Sequence, residues 1–261
     1  MSDGHGGSFT NHNREGKSTM KIKIGKSKVS VFGKRSVLAV QSNLFLKWTY
    51  SLSSSFSVKR IEIQSVDTVI RGGKEEVLFL KIKAEIVDAQ GRCLPGIVFL
   101  RGASVGIFIV LNTLKDKYVV LIESCLPAIG KISFPQLPAG MMDKEVNPLK
   151  VAIREMKEET GLDPHHGKLT DLGKSFYGSK WSGIYPSPGA CDEMIHLFLY
   201  EQNVSERKIK ELQGLETGLS EEHEHLKLRV VRLSQLCECT PDVKAHSAYL
   251  MYTHLKLRGQ L

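Results

Sequence analysis

The chain lacks the features of membrane proteins and of disulfide-rich secreted domains. Across its 261 residues no apolar run approaches the ~20 residues that a membrane-spanning helix needs. Its cysteines are few and scattered, so they suggest no disulfide framework, and the lone Cys237-x-Cys239 pair lacks the spacing of zinc ligands. The other three cysteines are Cys93, Cys125 and Cys191. These absences predict a cytoplasmic protein without a membrane partner, long enough for one large domain or two smaller ones.

Acidic residues are scarce at the start of the chain. Residues 1–36 hold eight Lys/Arg and two acids, a net +6 of the chain's +8. We interpret them as a basic, flexible leader; an organelle-targeting peptide is the alternative, although the segment has no apolar core. Because little positive charge remains elsewhere, nucleic acid is not an expected partner. An RNA-directed activity stays a minor hypothesis that rests on this leader alone.

Hydrophobic patterning after the leader predicts an α+β fold. A short amphipathic helix is expected at 43–52, and a turn at 89–92 joins two strands into a hairpin. Residues 37–103 are therefore predicted to form a small antiparallel β-domain, and 104–261 a mixed α/β domain that ends in a helix over 241–257. The predicted strands are 58–66, 76–87, 94–100, 105–111, 118–122, 169–177, 194–200 and 226–233.

The segment 140–162 has the sequence of a capped helix. Asn147 suits the N-cap, Pro148 the first helical position, and Gly161 the left-handed residue that ends a helix. Four apolar residues recur at helical spacing and predict the buried face, with the acidic residues opposite. They are Leu149, Ala152, Ile153 and Met156.

Three carboxylates of this helix crowd one another. Glu155, Glu158 and Glu159 lie at i, i+3 and i+4, where like charges repel, and they occupy the half of the helix whose dipole disfavours negative charge. A hard divalent cation removes the conflict, and Mg²⁺ is the usual choice beside phosphate. Arg154 precedes Glu158 by four residues and can brace it. A solvated acidic face is the alternative interpretation of the acids alone.

The whole segment resembles the Nudix box, G-x5-E-x7-R-E-U-x-E-E-x-G-U, where U is a bulky aliphatic residue. Only the first Glu of the motif is missing, because Val146 stands there and Glu145 comes one residue early. The matching positions are Gly140, Arg154, Glu155, Met156, Glu158, Glu159, Gly161 and Leu162. The resemblance implies a Nudix α/β/α sandwich with a mixed sheet, and Mg²⁺-dependent hydrolysis in which Mn²⁺ can substitute.

A second segment narrows the resemblance to the ADP-ribose and ADP-sugar pyrophosphatases. Residues 185–193, Y-P-S-P-G-A-C-D-E, are similar to the S-P-G loop of those enzymes and its acidic residue. The segments 95–102, 137–141 and 211–219 extend the likeness over about 43–258. It implies cleavage of an ADP-sugar to AMP and a sugar 1-phosphate or ribose 5-phosphate, and a homodimer formed through the N-terminal β-domain.

The resemblance also implies a role for each matched residue. Glu155 and Glu159 would bind the metal directly, with the backbone carbonyl of Ala139 completing the shell, and Gly140 would allow close approach. Glu158, expected among both the metal-binding and the catalytic residues, would be a third ligand or would hold a metal-bound water. Arg101 would contact phosphate oxygens, as a guanidinium fork does well. Glu193 would order or deprotonate the attacking water. The remaining expected site residues are Arg154 in catalysis and Gln136, Pro188 and Gly189 in substrate binding.

Three departures from the family pattern support an alternative, a catalytically impaired module that binds nucleotide sugars. Val146 replaces a box acid, Leu126 stands where an arginine is common, and Gln136 where Glu usually precedes L-P-A-G. Base recognition is weakly encoded. Four aromatic residues could stack on adenine, although packing is the favoured interpretation: Phe176, Tyr177, Trp181 and Tyr185. No metal role is expected for His165 and His166, because Mg²⁺ prefers oxygen.

Overall fold

The computed structural model describes residues 20–24, 27–33, 35–52, 56–218 and 225–261. The chain divides into two compact units, Met1–Gly102 with Ser187–Glu193 and Ala103–Pro186 with Met194–Leu261. Each unit is built on its own mixed sheet, so the predicted α+β class is confirmed. None of the helices in the described ranges is long and apolar enough to span a membrane.

The first unit contains a six-stranded sheet in the order β1-β2-β3-β4-β5, with β6 also paired to β4. Its pairs are antiparallel except for β2 and β3, which run parallel. The strands are β1 Met20–Ile24, β2 Ser27–Gly33, β3 Ser57–Arg71, β4 Lys74–Val87, β5 Cys93–Leu94 and β6 Ile97–Leu100. The helices are α1 Ser36–Gln41 and α2 Asn43–Leu52, the latter with the bounds predicted.

The predicted leader differs from the structure over its second half. Strands β1 and β2 lie within residues 20–33 and add to the sheet through the parallel β2–β3 pair. In β2, Val29 and Val31 alternate with polar residues and are both fully buried. This alternation indicates a strand, but the basic composition of the segment led to its prediction as a leader. Residues 1–19 lie outside the described residues. The division into a leader, a dimerisation domain and a catalytic domain stays a prediction.

The core of the first unit follows from the amphipathic pattern of its strands. Along β4, Leu80, Ile82 and Ala84 are buried while the lysines between them are exposed, as the alternation predicts. Helix α2 covers this apolar face with Phe45 and Trp48.

The second unit contains an eight-stranded sheet in the order β11-β12-β7-β8-β14-β13, with β10 paired to β7 and β9 to β8. Only the β12–β7 pair is parallel. The strands are β7 Ser104–Asn112, β8 Lys117–Leu126, β9 Lys131–Gln136, β10 Ala139–Met141, β11 Lys168–Asp171, β12 Ile195–Asn203, β13 Glu216–Thr217 and β14 Leu226–Arg232. The α-helices are α3 Pro148–Thr160, α4 Leu172–Tyr177, α5 Glu206–Leu212, α6 Leu236–Cys239 and α7 Val243–Leu257. Short 3-10 helices are Pro127–Ile129, Pro164–His166 and Leu233–Gln235.

Helices cover both faces of this sheet. On one face, Ile107 and Ile109 of β7 pack with Val151 and Met156 of α3. On the other, Phe108 of the same strand belongs to the core that α4 and α7 complete. This is the layered α/β/α arrangement that the sequence predicts.

One predicted strand of this unit is wrong. The segment 169–177 is a strand only as far as Asp171, after which α4 begins. Asp171 accepts a hydrogen bond from the backbone N–H of Lys174 at 2.8 Å and so acts as an N-cap. The local cap ends the strand, although the apolar residues continue.

Candidate active site

Helix α3 begins and ends where its sequence predicts. The Asn147 side chain accepts a hydrogen bond from the N–H of Leu149 at 3.0 Å, and Pro148 is the first helical residue. At the other end Gly161 has φ of 68° and donates its N–H to the carbonyl of Lys157. Thr217 adds a hydroxyl hydrogen bond to the Glu159 carbonyl at 2.6 Å. Both ends are therefore fixed by specific groups.

The buried face of α3 is only partly the one predicted, because Ala152 and Met156 are buried but Leu149 and Ile153 are not. Leu149 and Ile153 are 42% and 37% exposed, whereas Glu155 and Glu159 are only 9% and 6% exposed. The helix packs on the sheet through Val151, Ala152 and Met156, which turns two of the acids inward. Inward carboxylates cost free energy unless they are hydrogen-bonded or charge-paired, so each of these two acids needs a polar partner.

Strand β10 lies directly against the two buried acids. An ideal Cβ on Gly140 would lie 1.9 Å from Oε1 of Glu155, so only glycine allows this approach. The N–H of Ala139 donates to Oε2 of Glu159 at 2.8 Å. The expected close approach at Gly140 is thus present, and the backbone at Ala139 lies beside a box carboxylate.

Arg154 joins two of the three acids. Its Nη2 lies 2.6 Å from Oε1 of Glu155, and its Nη1 lies 2.8 Å from Oε2 of Glu158. Partial burial opposes the charge of the guanidinium, but the two carboxylates outweigh it and raise the pKa of Arg154. The expected bracing of Glu158 is present, and Arg154 also compensates the charge of Glu155.

The donor set fits a hard divalent cation. It consists of three carboxylates, two of them on the buried residues Glu155 and Glu159, beside Gly140, where a Cβ would collide with Glu155. Within the described ranges no three His, Cys, Asp or Glu side chains are grouped as a ready metal site. The guanidinium of Arg154 lies on the oxygens of Glu155 and Glu158 and competes with a cation for them.

The first unit brings together a different set of predicted residues. Nη1 of Arg101 lies 3.3 Å from Oε2 of Glu193. The neighbouring Asp192 accepts the backbone N–H groups of Arg101 and Gly102 at 2.7 and 3.1 Å. Asp192, a residue with no predicted role, thus fixes the backbone from which Arg101 extends. Its place beside Glu193 in an acidic pair was the only available signal.

Arg101 keeps one donor unused. Among the residues that the structure describes, none is hydrogen-bonded to its buried Nε, a costly state for a guanidinium nitrogen. The loop that carries Glu193 is anchored by the Phe99 N–H, which donates to the Ala190 carbonyl at 2.7 Å. Pro188 and Gly189 of this loop are exposed. The guanidinium therefore retains a donor for an anionic ligand.

The positions that depart from the family pattern differ in their surroundings. Val146 is 80% exposed, and Glu145 accepts the backbone N–H of Asn147 at 2.9 Å, so it stabilises the turn before α3. Gln136 accepts a hydrogen bond from Nζ of Lys244 at 3.2 Å and donates to Ser124 at 2.9 Å. The expected substrate contact of Gln136 stays a prediction.

The four aromatic residues separate into two pairs. Phe176 and Tyr177 pack against each other and belong to the core beside α7. Trp181 and Tyr185 form an edge-to-face pair, 6.2 Å between centroids, and are 49% and 44% exposed. Packing therefore explains the first pair, and the second pair has ring surface available for a ligand. His165 and His166 lie in a short 3-10 helix, and Nε2 of His166 is 3.9 Å from Oδ2 of Asp163.

A cavity of about 310 Å³ lies beside Trp181 and was not predicted. Its lining includes Pro148 at the start of α3, Lys174 of α4, and His196 of β12. Burial lowers the pKa of His196, opposed by its hydrogen bond to the Ser182 backbone. The imidazole is therefore held neutral near pH 7.

Comparisons with known proteins agree with this geometry. A sequence model described as the NUDIX domain matches residues 100–253. The chain is 37% identical over 231 residues to "Nudix hydrolase 14, chloroplastic" of Arabidopsis thaliana, an alignment covering 85% of this chain and 73% of that protein. It is 34% identical over 154 residues to an "ADP-ribose pyrophosphatase" of Bacillus subtilis, covering 59% and 65%. A protein of the same name from Haemophilus influenzae is 32% identical over 137 residues, covering 48% and 54%.

Proposed function

The chain belongs to the Nudix hydrolase family, and from that premise we propose that it hydrolyses the diphosphate bond of ADP-sugars. It is an enzyme similar to ADP-ribose pyrophosphatases. The proposed substrates are ADP-ribose and ADP-glucose, cleaved to AMP and ribose 5-phosphate or glucose 1-phosphate. The observation that carries the proposal is the inward pair Glu155 and Glu159 against Ala139 and Gly140.

We propose that Glu155, Glu158 and Glu159, with the Ala139 carbonyl, hold Mg²⁺, or Mn²⁺ in its place. Bound there, the cation would neutralise the diphosphate and activate the attacking water. Arg154 orients Glu155 and Glu158 through its two ion pairs. Ala139 fixes the carboxylate of Glu159 through its N–H.

We also propose roles for two residues of the first unit. Arg101 is proposed to bind phosphate oxygens, and its buried, unused Nε supports that role. Glu193 is proposed to order or deprotonate the water, and the ion pair with Arg101 holds its carboxylate in place. Pro188 and Gly189 shape the exposed loop beside it.

The proposal is tested by release of AMP from ADP-ribose, ADP-glucose, UDP-glucose and diadenosine polyphosphates, each with and without Mg²⁺. We expect metal-dependent cleavage of an ADP-sugar that Glu159→Gln reduces by at least 10²-fold, the scale of losing one preorganised charge. The matched control is Glu211→Gln, which removes an exposed carboxylate paired with Arg207. Equal activity of Glu159→Gln and Glu211→Gln would contradict the proposal.

The alternative function is a module that binds nucleotide sugars without cleaving them. Its support is Val146 in place of a box acid and the engagement of Gln136 by Lys244 and Ser124. It predicts ADP-ribose binding by calorimetry, in the presence of Mg²⁺, from a folded protein that releases no AMP. Mg²⁺-dependent turnover of any panel member would exclude it.

The assembly and location of the protein are further proposals. We propose a homodimer formed through the first unit, which sedimentation of the whole chain would detect. The organelle alternative to a cytoplasmic location is supported by the relative whose name includes the word chloroplastic. Strand β1 begins at Met20, so the part of the predicted leader proposed to carry such a signal ends before that residue. Localisation of a reporter fused after residue 19 would test it.

A further inference from the structure

The residues just before the proposed metal segment are held by the turn that leads into α7. The Thr240 hydroxyl donates to the Pro135 carbonyl at 2.5 Å. The N–H of Leu137 donates to Oδ2 of Asp242 at 2.9 Å. Pro135 and Leu137 are therefore each held by a residue that lies 105 positions later in the sequence.

Lys244 adds a third anchor to the same run. Its Nζ donates to the Gln136 side chain at 3.2 Å and lies 3.0 Å from Oδ1 of Asp242. Residues 135, 136 and 137 each receive or donate a bond, so this run has little freedom to shift along the sheet. We call the contacts of Thr240, Asp242 and Lys244 with residues 135–137 the clamp. Gln136 is part of the clamp, which is a different role from the substrate contact predicted for it.

The anchoring continues into the metal segment itself. Ile107 of β7 donates its N–H to the Pro138 carbonyl at 2.9 Å. The next residue, Ala139, donates its N–H to Glu159 at 2.8 Å. An unbroken series of hydrogen bonds and peptide units therefore joins Asp242 to a proposed metal ligand.

Asp242 is more buried than an N-cap needs to be. Its side chain is 4% exposed, and Oδ1 caps α7 by accepting the N–H of Lys244 at 3.1 Å. Most helix caps work at the surface, and a buried ion pair gains little stability over apolar packing. A capping role accounts for Oδ1 but not for Oδ2, which is committed to Leu137.

We propose that Asp242, held by Lys244, is a positioning residue for the metal site. Its carboxylate sets the register of Leu137 and hence of the backbone at Ala139 against Glu159. This inference rests on the proposed function, because it assumes that Glu155, Glu158 and Glu159 bind the cation. Outer groups that orient metal ligands change metal affinity by about 10–100-fold when they are removed.

The test is Mn²⁺ binding by the whole, substrate-free chain, measured from the electron paramagnetic resonance signal of free Mn²⁺. Asp242→Asn keeps the shape and one oxygen but removes the charge that serves both Leu137 and Lys244. We expect its Mn²⁺ affinity to fall about tenfold or more. The control is Ser205→Ala, which removes an N-cap of α5 that is bonded to Lys208 and has no bond to residues 135–139.

The outcomes distinguish a failure of the positioning role of Asp242 from a failure of the proposed metal site. Weaker Mn²⁺ binding by Asp242→Asn, at a melting temperature no lower than that of Ser205→Ala, supports the positioning role. Unchanged affinity in folded Asp242→Asn overturns it, provided that Glu159→Gln weakens binding. If Glu159→Gln also binds like the wild type, the proposed metal site itself fails. Should Asp242→Asn not fold, Lys244→Met is measured instead, and wild-type affinity there contradicts the clamp.

Discussion

Replacing Gly140 by alanine tests the contact on which the proposed metal site depends. The added Cβ would lie 1.9 Å from Oε1, 2.0 Å from Cδ and 2.6 Å from Cγ of Glu155. Since non-bonded heavy atoms prefer about 3.5 Å, the carboxylate has to move by about 1.5 Å. It is the end of a side chain, so the fold can survive while Glu155 leaves its position beside Arg154.

We expect Gly140→Ala to cost about 1–3 kcal/mol of unfolding free energy, the range for overpacking in a close-packed site. A displacement of 1 Å in a catalytic group can lower the rate about 10²-fold, so ADP-sugar hydrolysis is expected to fall at least that far. Both effects are measured directly, the first by urea unfolding and the second by AMP release.

A double-mutant cycle with Glu155→Ala identifies the cause. The three atoms nearest to the new Cβ all belong to Glu155. Without that side chain, Gly140→Ala is expected to be neutral or to stabilise by about 0.4–1 kcal/mol, through the lower entropy of the unfolded chain. The same destabilisation in both backgrounds, or wild-type activity of Gly140→Ala, would refute the reasoning.

Three further predictions concern groups around the site. Thr217→Val removes the hydroxyl bonded to the Glu159 carbonyl and should cost about 0.5–1.5 kcal/mol of unfolding free energy, measured in urea; an unchanged midpoint would contradict it. Tyr200→Phe should cost a similar amount, because the buried hydroxyl donates to the Asp163 carbonyl at 2.9 Å; Thr253→Val, at a partly exposed hydroxyl, is the control. Burial lowers the pKa of His196 from 6.5, so the unfolded chain binds the proton more readily and stability should fall as the pH drops below 6.5. His196→Gln should flatten that part of the stability curve, and an identical pH dependence would argue against a neutral buried imidazole.

Local sequence signals predicted the elements that carry the site. The N-cap Asn147, Pro148 and the terminal Gly161 define α3 because capping depends on neighbouring residues in the chain. The spacing of the box acids likewise identified Glu155 and Glu159. The close approach at Gly140 was expected from the family resemblance and is present in the structure.

Features that depend on tertiary packing could not be predicted from the sequence. The helical periodicity predicted that Leu149 and Ile153 are buried. In the structure, α3 packs on the sheet through a face that includes Glu155 and Glu159 instead. The apolar character of both faces made the choice ambiguous, and only the packing partner decides it. The contact between Asp242 and Leu137 spans 105 positions and leaves no local signal.

The basic composition of residues 1–36 misled in a different way. Charge dominated the interpretation, while the short alternation around Val29 and Val31 indicated a strand. Strand β2 gains its stability from the parallel pairing with β3, a partner that the local sequence does not reveal.

The measurement that tests the account most directly is Mg²⁺-dependent release of AMP from ADP-ribose by the wild type and by Glu159→Gln. The account predicts turnover by the wild type that stops when the metal is chelated and returns when Mg²⁺ is restored. It also predicts at least a 10²-fold loss in folded Glu159→Gln. The account would be contradicted by turnover that is unchanged both by metal removal and by Glu159→Gln. It would also be contradicted by a folded wild type that cleaves no nucleotide sugar.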